Sequence, residues 1–369
     1  AANETDQHRE GFDREIDKDE VEAAIYRLRT GTAPGPDQQF AEFYKHAGDK
    51  FTEALVTMMN IIWQKGELPT EWKMADVKFL RKPGKTSYYS SSSYRPISLT
   101  CIICKLMERV ILERIVAYIE GHRLIDLTQE GFRKNHSTTN ALLRLVQTIA
   151  DGFNEDESTL AWLVDLEKAY DSIWREGLMI KLHKLGIKGK TWLWINSFLT
   201  NRTARCMLNN FFGEQFDTKI GLPQGSVLSP TLFNIFIADI MDNTKGENCK
   251  FADDGTLWHK GKDIKEMKER TSEDVKTILK WTEKWRINVN LEKCEVCLFS
   301  KGNTDAEQKT LKVNSFSYRH SPTPKLLGVT LDEKLKFDTH INLMQKRANN
   351  AIYVIRDIKG MGGISRSKL

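Results

Sequence analysis

The sequence predicts an α+β fold, on three observations. Apolar residues recur at helical spacing in some segments and at strand spacing in others, and the two kinds alternate along the chain. No segment repeats another. The acidic residues that stand out as candidate chemistry fall in short antiparallel hairpins rather than in helix-linked parallel strands.

From residue 16 to 30, Val21, Ala24, Ile25 and Leu28 keep helical spacing, and Gly31-Thr32-Ala33-Pro34-Gly35-Pro36-Asp37 ends the helix in a tight turn. A second helix is predicted over 40–65, with Phe43, Phe51, Leu55, Met58, Met59 and Ile62 on one face and Pro69 closing the unit. Residues 74–80 alternate as a strand, and 94–99 return as its partner around a Gly-, Ser- and Tyr-rich loop. Helices follow over 105–120 and 138–153. Residues 159–166 read as a buried strand, since Leu160 to Val164 are all apolar and Asp165 ends the run. A helix over 167–185, ending at Gly186, and a hairpin over 205–220, turning at Asn209-Asn210, come next. The loop Gly221-Leu222-Pro223-Gln224-Gly225-Ser226 then leads into an apolar helix, Pro230 to Met241. After the Phe251-Ala252-Asp253-Asp254 hairpin, a helix is predicted over 265–285. Strands over 286–300, 311–317 and 325–331 and a last helix over 340–357 complete the chain.

With 28% charged and 40% hydrophobic residues in 369, the chain has the composition of a globular protein with a sizeable core, not of a disordered one. No segment approaches the roughly 20 apolar residues of a membrane-crossing helix, so no membrane partner is expected. The net charge of +5 says little, but its distribution says more. Residues 73–109 hold eight Lys or Arg against Asp76 and Glu108, and residues 334–369 hold eight against Asp338 and Asp357. Two such basic stretches fit a polyanion partner. Six cysteines in a chain this long do not form a disulfide scaffold. Cys101/Cys104 and Cys294/Cys297 have zinc-like spacing, but buried free thiols account better for both pairs. A start without Met, and a stop just past Gly360-Met361-Gly362-Gly363, give the expectation of a segment cut from a longer polypeptide.

The chemistry centres on acids. Asp253 and Asp254 are adjacent at a hairpin tip, where like charges repel, and hard divalent cations relieve such pairs by taking carboxylate oxygens. Asp165, at the end of another strand, supplies a third carboxylate. Three acids on neighbouring strand ends suggest a two-metal site for phosphoryl or nucleotidyl transfer.

Seven phrases then occur in one order: Ala33-Pro34-Gly35-Pro36-Asp37, Tyr94-Arg95-Pro96-Ile97-Ser98-Leu99, Gln129-Glu130-Gly131-Phe132-Arg133, Asp165-Leu166-Glu167-Lys168-Ala169-Tyr170-Asp171, Gly221 to Ser226, Phe251 to Asp254, and Leu326-Leu327-Gly328-Val329. Over roughly residues 30–335 the chain resembles the reverse transcriptase domain of non-LTR retrotransposons of the LINE/Jockey type. The resemblance implies a right-hand polymerase fold, with an N-terminal helical extension over 1–65, fingers and palm over 66–331, and the beginning of a helical thumb over 332–369. It implies an RNA-directed DNA polymerase that binds an RNA template, a DNA primer or target and deoxynucleotide triphosphates. It also implies nuclear work after ribonucleoprotein assembly in the cytoplasm. A group II intron maturase-like polymerase and a non-catalytic scaffold that only binds nucleic acid are the competing readings. Oligomeric state is not legible.

By the same resemblance, Asp165 and Asp253 bridge two Mg²⁺ ions, for which Mn²⁺ can substitute. The Leu166 carbonyl completes a shell, and Asp254 lies nearer one metal. Arg95 with Lys82 or Arg81 contacts the triphosphate, the choice between the last two staying open. Tyr170 gates against ribonucleotides, with a plain core aromatic as the alternative. Gln224 contacts nucleotide or template. Lys293 protonates the leaving pyrophosphate, unless it is a solvated turn lysine. Leu327-Gly328 forms the primer grip.

Overall fold

The structure is a computed structural model and describes residues 12–208 and 211–360. Among these, twelve strands run in chain order: β1 (Met74–Arg81), β2 (Tyr94–Leu99), β3 (Ser158–Asp165), β4 (Arg202–Leu208), β5 (Phe211–Thr218), β6 (Glu247–Phe251), β7 (Asp254–Gly261), β8 (Glu295–Phe299), β9 (Leu311–Val313), β10 (Phe316–His320), β11 (Lys325–Leu326) and β12 (Val329–Thr330). They fall into two compact units, neither continuous in sequence. The first takes the described residues of Ala1–Phe132, Leu166–Ile240 and Trp281–Asn288, and the second those of Arg133–Asp165, Met241–Lys280 and Val289–Leu369.

In the first unit, Asp17 caps the helix Lys18–Tyr26 through a capping box with Glu20. The predicted helix over 40–65 is two, Ala41–His46 and Asp49–Lys65, broken at Ala47-Gly48. A four-stranded sheet has the order β2-β1-β4-β5. Strand β1 pairs antiparallel with β2, setting Leu80 opposite Arg95, and parallel with β4. The hairpin β4–β5 is as expected, though its tip, Asn209-Asn210, lies outside the described residues. The helix Ile102–Gly121 buries Leu106, Met107, Val110, Ile111 and Ile115 at spacings of three and four.

Other expectations need correction too: the strand predicted over 311–317 is the turn-joined pair β9 and β10, and that over 325–331 is the β11–β12 hairpin. The helix predicted from 167 begins only at Arg175. Before it, Leu166 to Trp174 form turns: Lys168 takes a positive φ of 46°, and several backbone groups bond to distant segments. Glu167 N–H donates to the Asn288 carbonyl, and the Tyr170 and Ile173 carbonyls accept from Leu222 and Gly221. A helix absent from the sequence reading, Gly189–Leu199, stacks Trp194 on Phe198 with centroids 5.5 Å apart. The strand predicted over 286–300 is confined to β8, because Lys293 N–H and Cys294 N–H both turn back to the Asn290 carbonyl.

The second unit is built on a six-stranded sheet of order β6-β7-β3-β8-β10-β9. Strand β3 pairs antiparallel with β7 on one side and β8 on the other. Its alternate residues are buried on both faces, which explains the unbroken apolar run. Ala141, Leu145 and Ile149 form one face of the helix Thr138–Asn154 and share a core cluster with Ala161, Trp258, Cys297 and Phe299. The last helix, Asp338–Gly360, keeps Ile341, Ile352 and Ile355 exposed. The basic residues Arg366 and Lys368 lie outside the described residues. Cys101, Cys104, Cys249, Cys294 and Cys297 are buried and form no disulfide, and among the described residues no helix is long and apolar enough to cross a membrane.

One buried acid organises the first unit. Glu108 is fully buried in the helix Ile102–Gly121. Its Oε2 accepts from the Ser226 hydroxyl and from the N–H groups of Val227 (2.8 Å) and Leu228 (3.2 Å), at the start of the helix Ser229–Ile237. A carboxylate there satisfies orphan donors and complements the helix dipole. Glu108→Ala is expected to cost about 3 kcal/mol, since it strands buried donors. Glu108→Gln, which keeps an acceptor, should cost clearly less. Urea unfolding measures both, and an alanine variant as stable as the parent would refute the role.

Candidate active site

The second unit brings the three predicted acids together. Asp165 ends β3 and is paired in register with Asp254, the first residue of β7. Asp254 also closes the β6–β7 hairpin opposite Phe251, leaving Ala252 and Asp253 as a two-residue turn. Such turns need a positive φ, and here Ala252 takes it at 55°. A non-glycine residue held in that region stores strain of about 1–2 kcal/mol, as functional turns often do. Gly255 follows because a larger residue does not fit: a Cβ would lie 2.6 Å from Val164 and 3.0 Å from Met241. The Asp165 carbonyl accepts from Asn290 N–H at 2.9 Å, which ties the end of β3 to the loop carrying Lys293.

Charge is concentrated here. The Asp254 carboxyl is pushed up to about 6, first by the protein crowding it and then by the negative charges of Asp253 and Asp165. By surface area the residue is exposed. The crowding is therefore on the protein side of the carboxyl group, with the other side open to solvent. Lys293 Nζ stands 3.5 Å from Asp165 Oδ1. A cavity of about 380 Å³ is lined by Asp165, Asp254, Lys293, Arg319 and Leu327, among others. Leu327 and Gly328 form the turn between β11 and β12, both with positive φ. Two of the three predicted acids, Asp165 and Asp254, thus share one cavity with the lysine and with Leu327 of the predicted primer grip.

The first unit carries the other predicted residues. Arg95 is exposed on β2. Just past β1, Lys82 N–H donates to the Ser93 carbonyl (2.8 Å), and its Nζ to that of Ser92 (3.0 Å). The Arg81 guanidinium lies over the Tyr88 ring at 5.0 Å. Tyr170 stacks on Phe233, with centroids 4.9 Å apart and planes 13° off parallel, and sits in the turn segment rather than at a helix start. Leu166, buried, begins that segment.

The Gln224 loop is stitched in on two sides. Ser98 N–H donates to the Gln224 carbonyl at 2.6 Å, and Leu222 N–H to the Tyr170 carbonyl at 2.7 Å. Gly221 (φ 80°) and Gly225 (φ 115°) are required twice over: a Cβ on either would strike backbone, at 2.6 Å on Asp171 and 2.7 Å on Ser98. Sequence reasoning missed Arg175, which is buried and donates to the carbonyls of Leu199, Thr218, Ile220 and Gly221. Nothing in its immediate sequence signals this, since three of the four carbonyls lie more than forty residues away.

The reverse transcriptase (RNA-dependent DNA polymerase) family matches residues 80–331, more than half of the chain. The chain belongs to the reverse transcriptase family. Its relatives include the RNA-directed DNA polymerase from the mobile element jockey of Drosophila melanogaster, 30% identical over 89% of this chain and 36% of that protein. The Drosophila funebris counterpart gives the same figures, and the probable RNA-directed DNA polymerase from transposon BS of D. melanogaster is 29% identical over 92% of this chain and 38% of its own length. The chain spans little more than a third of the length of these relatives, and the matches support a reverse transcriptase domain of the LINE/Jockey type.

Membership of the family implies dependence on divalent metal in general. The acids fit that requirement chemically: Asp165 at the end of β3 stands beside the hairpin that carries Asp253 and Asp254, and Asp254 bears the electrostatic cost of its neighbours. Among the described residues, no three His, Cys, Asp or Glu side chains are grouped closely enough to hold a metal ion as they stand. The raised carboxyl has a consequence for stability without metal. The folded protein holds a proton on Asp254 that the unfolded chain releases, so the charged form costs stability above about pH 6, and that cost vanishes toward pH 4. In EDTA, Asp254→Asn should raise the melting midpoint at pH 7.5, with a gain that shrinks steadily toward pH 4.5. A gain independent of pH would contradict this.

Proposed function

We propose that this segment is the polymerase of a retrotransposon: an RNA-directed DNA polymerase that copies element RNA into DNA by adding deoxynucleotides to a primer 3′-hydroxyl. The observation that carries the reading is the in-register pairing of Asp165 with Asp254, with Asp253 in the strained turn beside them.

In this reading Asp165 and Asp253, with the Leu166 carbonyl, hold two Mg²⁺ ions, and Asp254 serves one of them. When bound, such ions lower the pKa of the attacking hydroxyl and stabilise charge on the leaving pyrophosphate. Lys293, beside Asp165, is the proposed donor of a proton to that pyrophosphate. Arg95 and Lys82 take the triphosphate, Arg by paired hydrogen bonds and Lys as a point charge. Lys82 is favoured over Arg81 because its charge reaches the Asp171 carboxyl, whereas Arg81 lies on Tyr88. Tyr170, its ring backed by Phe233, is the proposed gate against a 2′-hydroxyl. Gln224 contacts nucleotide or template, and Leu327-Gly328 grips the primer. The assignments of 1–65 as extension, 66–331 as fingers and palm and 332–369 as the beginning of a thumb belong to the same proposal, as does nuclear work after cytoplasmic assembly.

Primer extension on an annealed RNA template with Mg²⁺ and deoxynucleotides tests the reading. Asp253→Asn should lower incorporation by about 10²–10³-fold, the worth of several kcal/mol of charge stabilisation, while leaving template–primer binding intact. Binding without extension by the parent protein would favour a scaffold instead. A second assay addresses Tyr170: Tyr170→Ala should admit ribonucleotides at least about tenfold more readily, a loss of roughly 1.4 kcal/mol of discrimination. An unchanged ratio would return Tyr170 to the core.

A further inference from the structure

Asp171 follows Tyr170 in the turn segment and has no part in the roles assigned above. Its Oδ1 accepts from Gln224 Nε2 at 2.9 Å. The same two segments are joined by backbone bonds from Leu222 to Tyr170 and from Gly221 to Ile173, and Gly221 packs so closely on the Asp171 backbone that no Cβ fits. Burial pushes the Asp171 carboxyl up from its ordinary range, with the Gln224 hydrogen bond, Lys168 and Lys82 pulling it back, although the residue's outer edge is exposed.

A glutamine amide has a donor end and an acceptor end, and a neighbour fixes which one faces outward. An ionised carboxylate only accepts. Asp171 therefore takes the Nε2 end, and Oε1 is left to face away from it as an acceptor. The loop backbone alone does not do this, because its bond to Ser98 uses the Gln224 main-chain carbonyl and leaves the side chain free to turn.

We propose that Asp171 is a positioning residue that orients the Gln224 amide so that the loop presents a fixed hydrogen-bond acceptor to the incoming nucleotide. The inference rests on the reverse transcriptase reading of the site. It calls for an acceptor at position 171 rather than for a negative charge as such.

The experiment is a double-mutant cycle in primer extension, reading KM for the deoxynucleotide and kcat separately. Asp171→Leu should raise KM about tenfold, the worth of one lost hydrogen bond to a charged group, with a much smaller change in kcat. Asp171→Asn, which can still offer an oxygen, should recover most of the loss. In a Gln224→Ala background, Asp171→Leu should add nothing. Melting midpoints of all variants separate a folding defect from a positioning effect. Equal losses from Asp171→Leu with and without Gln224, or no loss from it at all, would overturn the positioning role alone. Absence of extension by the parent protein would overturn the functional reading, and the inference with it.

Discussion

Two carboxylates face each other across one rung of the β3–β7 ladder, and the surrounding packing is arranged around that constraint. The register that sets Asp165 opposite Asp254 is fixed along eight consecutive pairs, from Ser158 opposite Gly261 upward. A slip of one residue would exchange the two buried faces of β3 and take Trp162 and Leu160, both fully buried, together out of the places their side chains fill. Burial of these side chains is worth about 1.5–3 kcal/mol each. That outweighs the repulsion at the solvent-open end of the strands, so the core holds the acids together. The strained Ala252 turn and the close contact of Gly255 with Val164 are held by the same ladder.

In the first unit the corresponding constraint is a loop clamped from several directions. The Gly221–Ser226 segment meets the Tyr170–Ile173 turns on one side, Ser98 of β2 on another and the Glu108 carboxylate at its end, while Arg175 gathers the carbonyls that precede it. Each contact uses a backbone group or a buried charge, so little freedom remains for the main chain. The Gln224 side chain is the part left to be directed. An acceptor-only neighbour is the simplest device for that, and Asp171 supplies one.

How much of this was legible in the sequence follows from the range of the interactions. The acids were legible because a strand buried on both faces reads as an unbroken apolar run, and Asp165 interrupts it. Gly221 and Gly225 stand out in the sequence as glycines, but that they meet the backbone of Asp171 and Ser98 is shown only by the structure. Glu108 was not: within its helix it reads as an ordinary polar residue, and its partners lie 118 to 120 residues downstream. The false helix start before Arg175 has the same origin. Leu166 to Trp174 contains no glycine or proline to break a helix, yet Lys168 takes a positive φ and bonds to Asn288, Leu222 and Gly221 hold the backbone in turns. The helix Gly189–Leu199 begins with the Asp13 carboxylate accepting from Lys190 and Thr191 N–H, a cap lent from 177 residues away. No local pattern announces such a cap.

The ion pair of Lys293 with Asp165 shows how these ranges bear on chemistry. At 3.5 Å, with 65% of the lysine side chain and 39% of the aspartate exposed, it is a surface pair. Such pairs contribute about 0–1 kcal/mol. That is too little to neutralise three carboxylates, and Asp254 remains raised despite it. The lysine therefore does not hold the acids in place, because the β3–β7 register already does. A divalent cation would meet weak competition from an ammonium group on a flexible stem, tethered by a turn whose N–H groups bond back to Asn290. On the proposed reading, a cation held by Asp165 would leave the Lys293 side chain beside the acids, within the cavity where a proton donor to phosphate would have to stand.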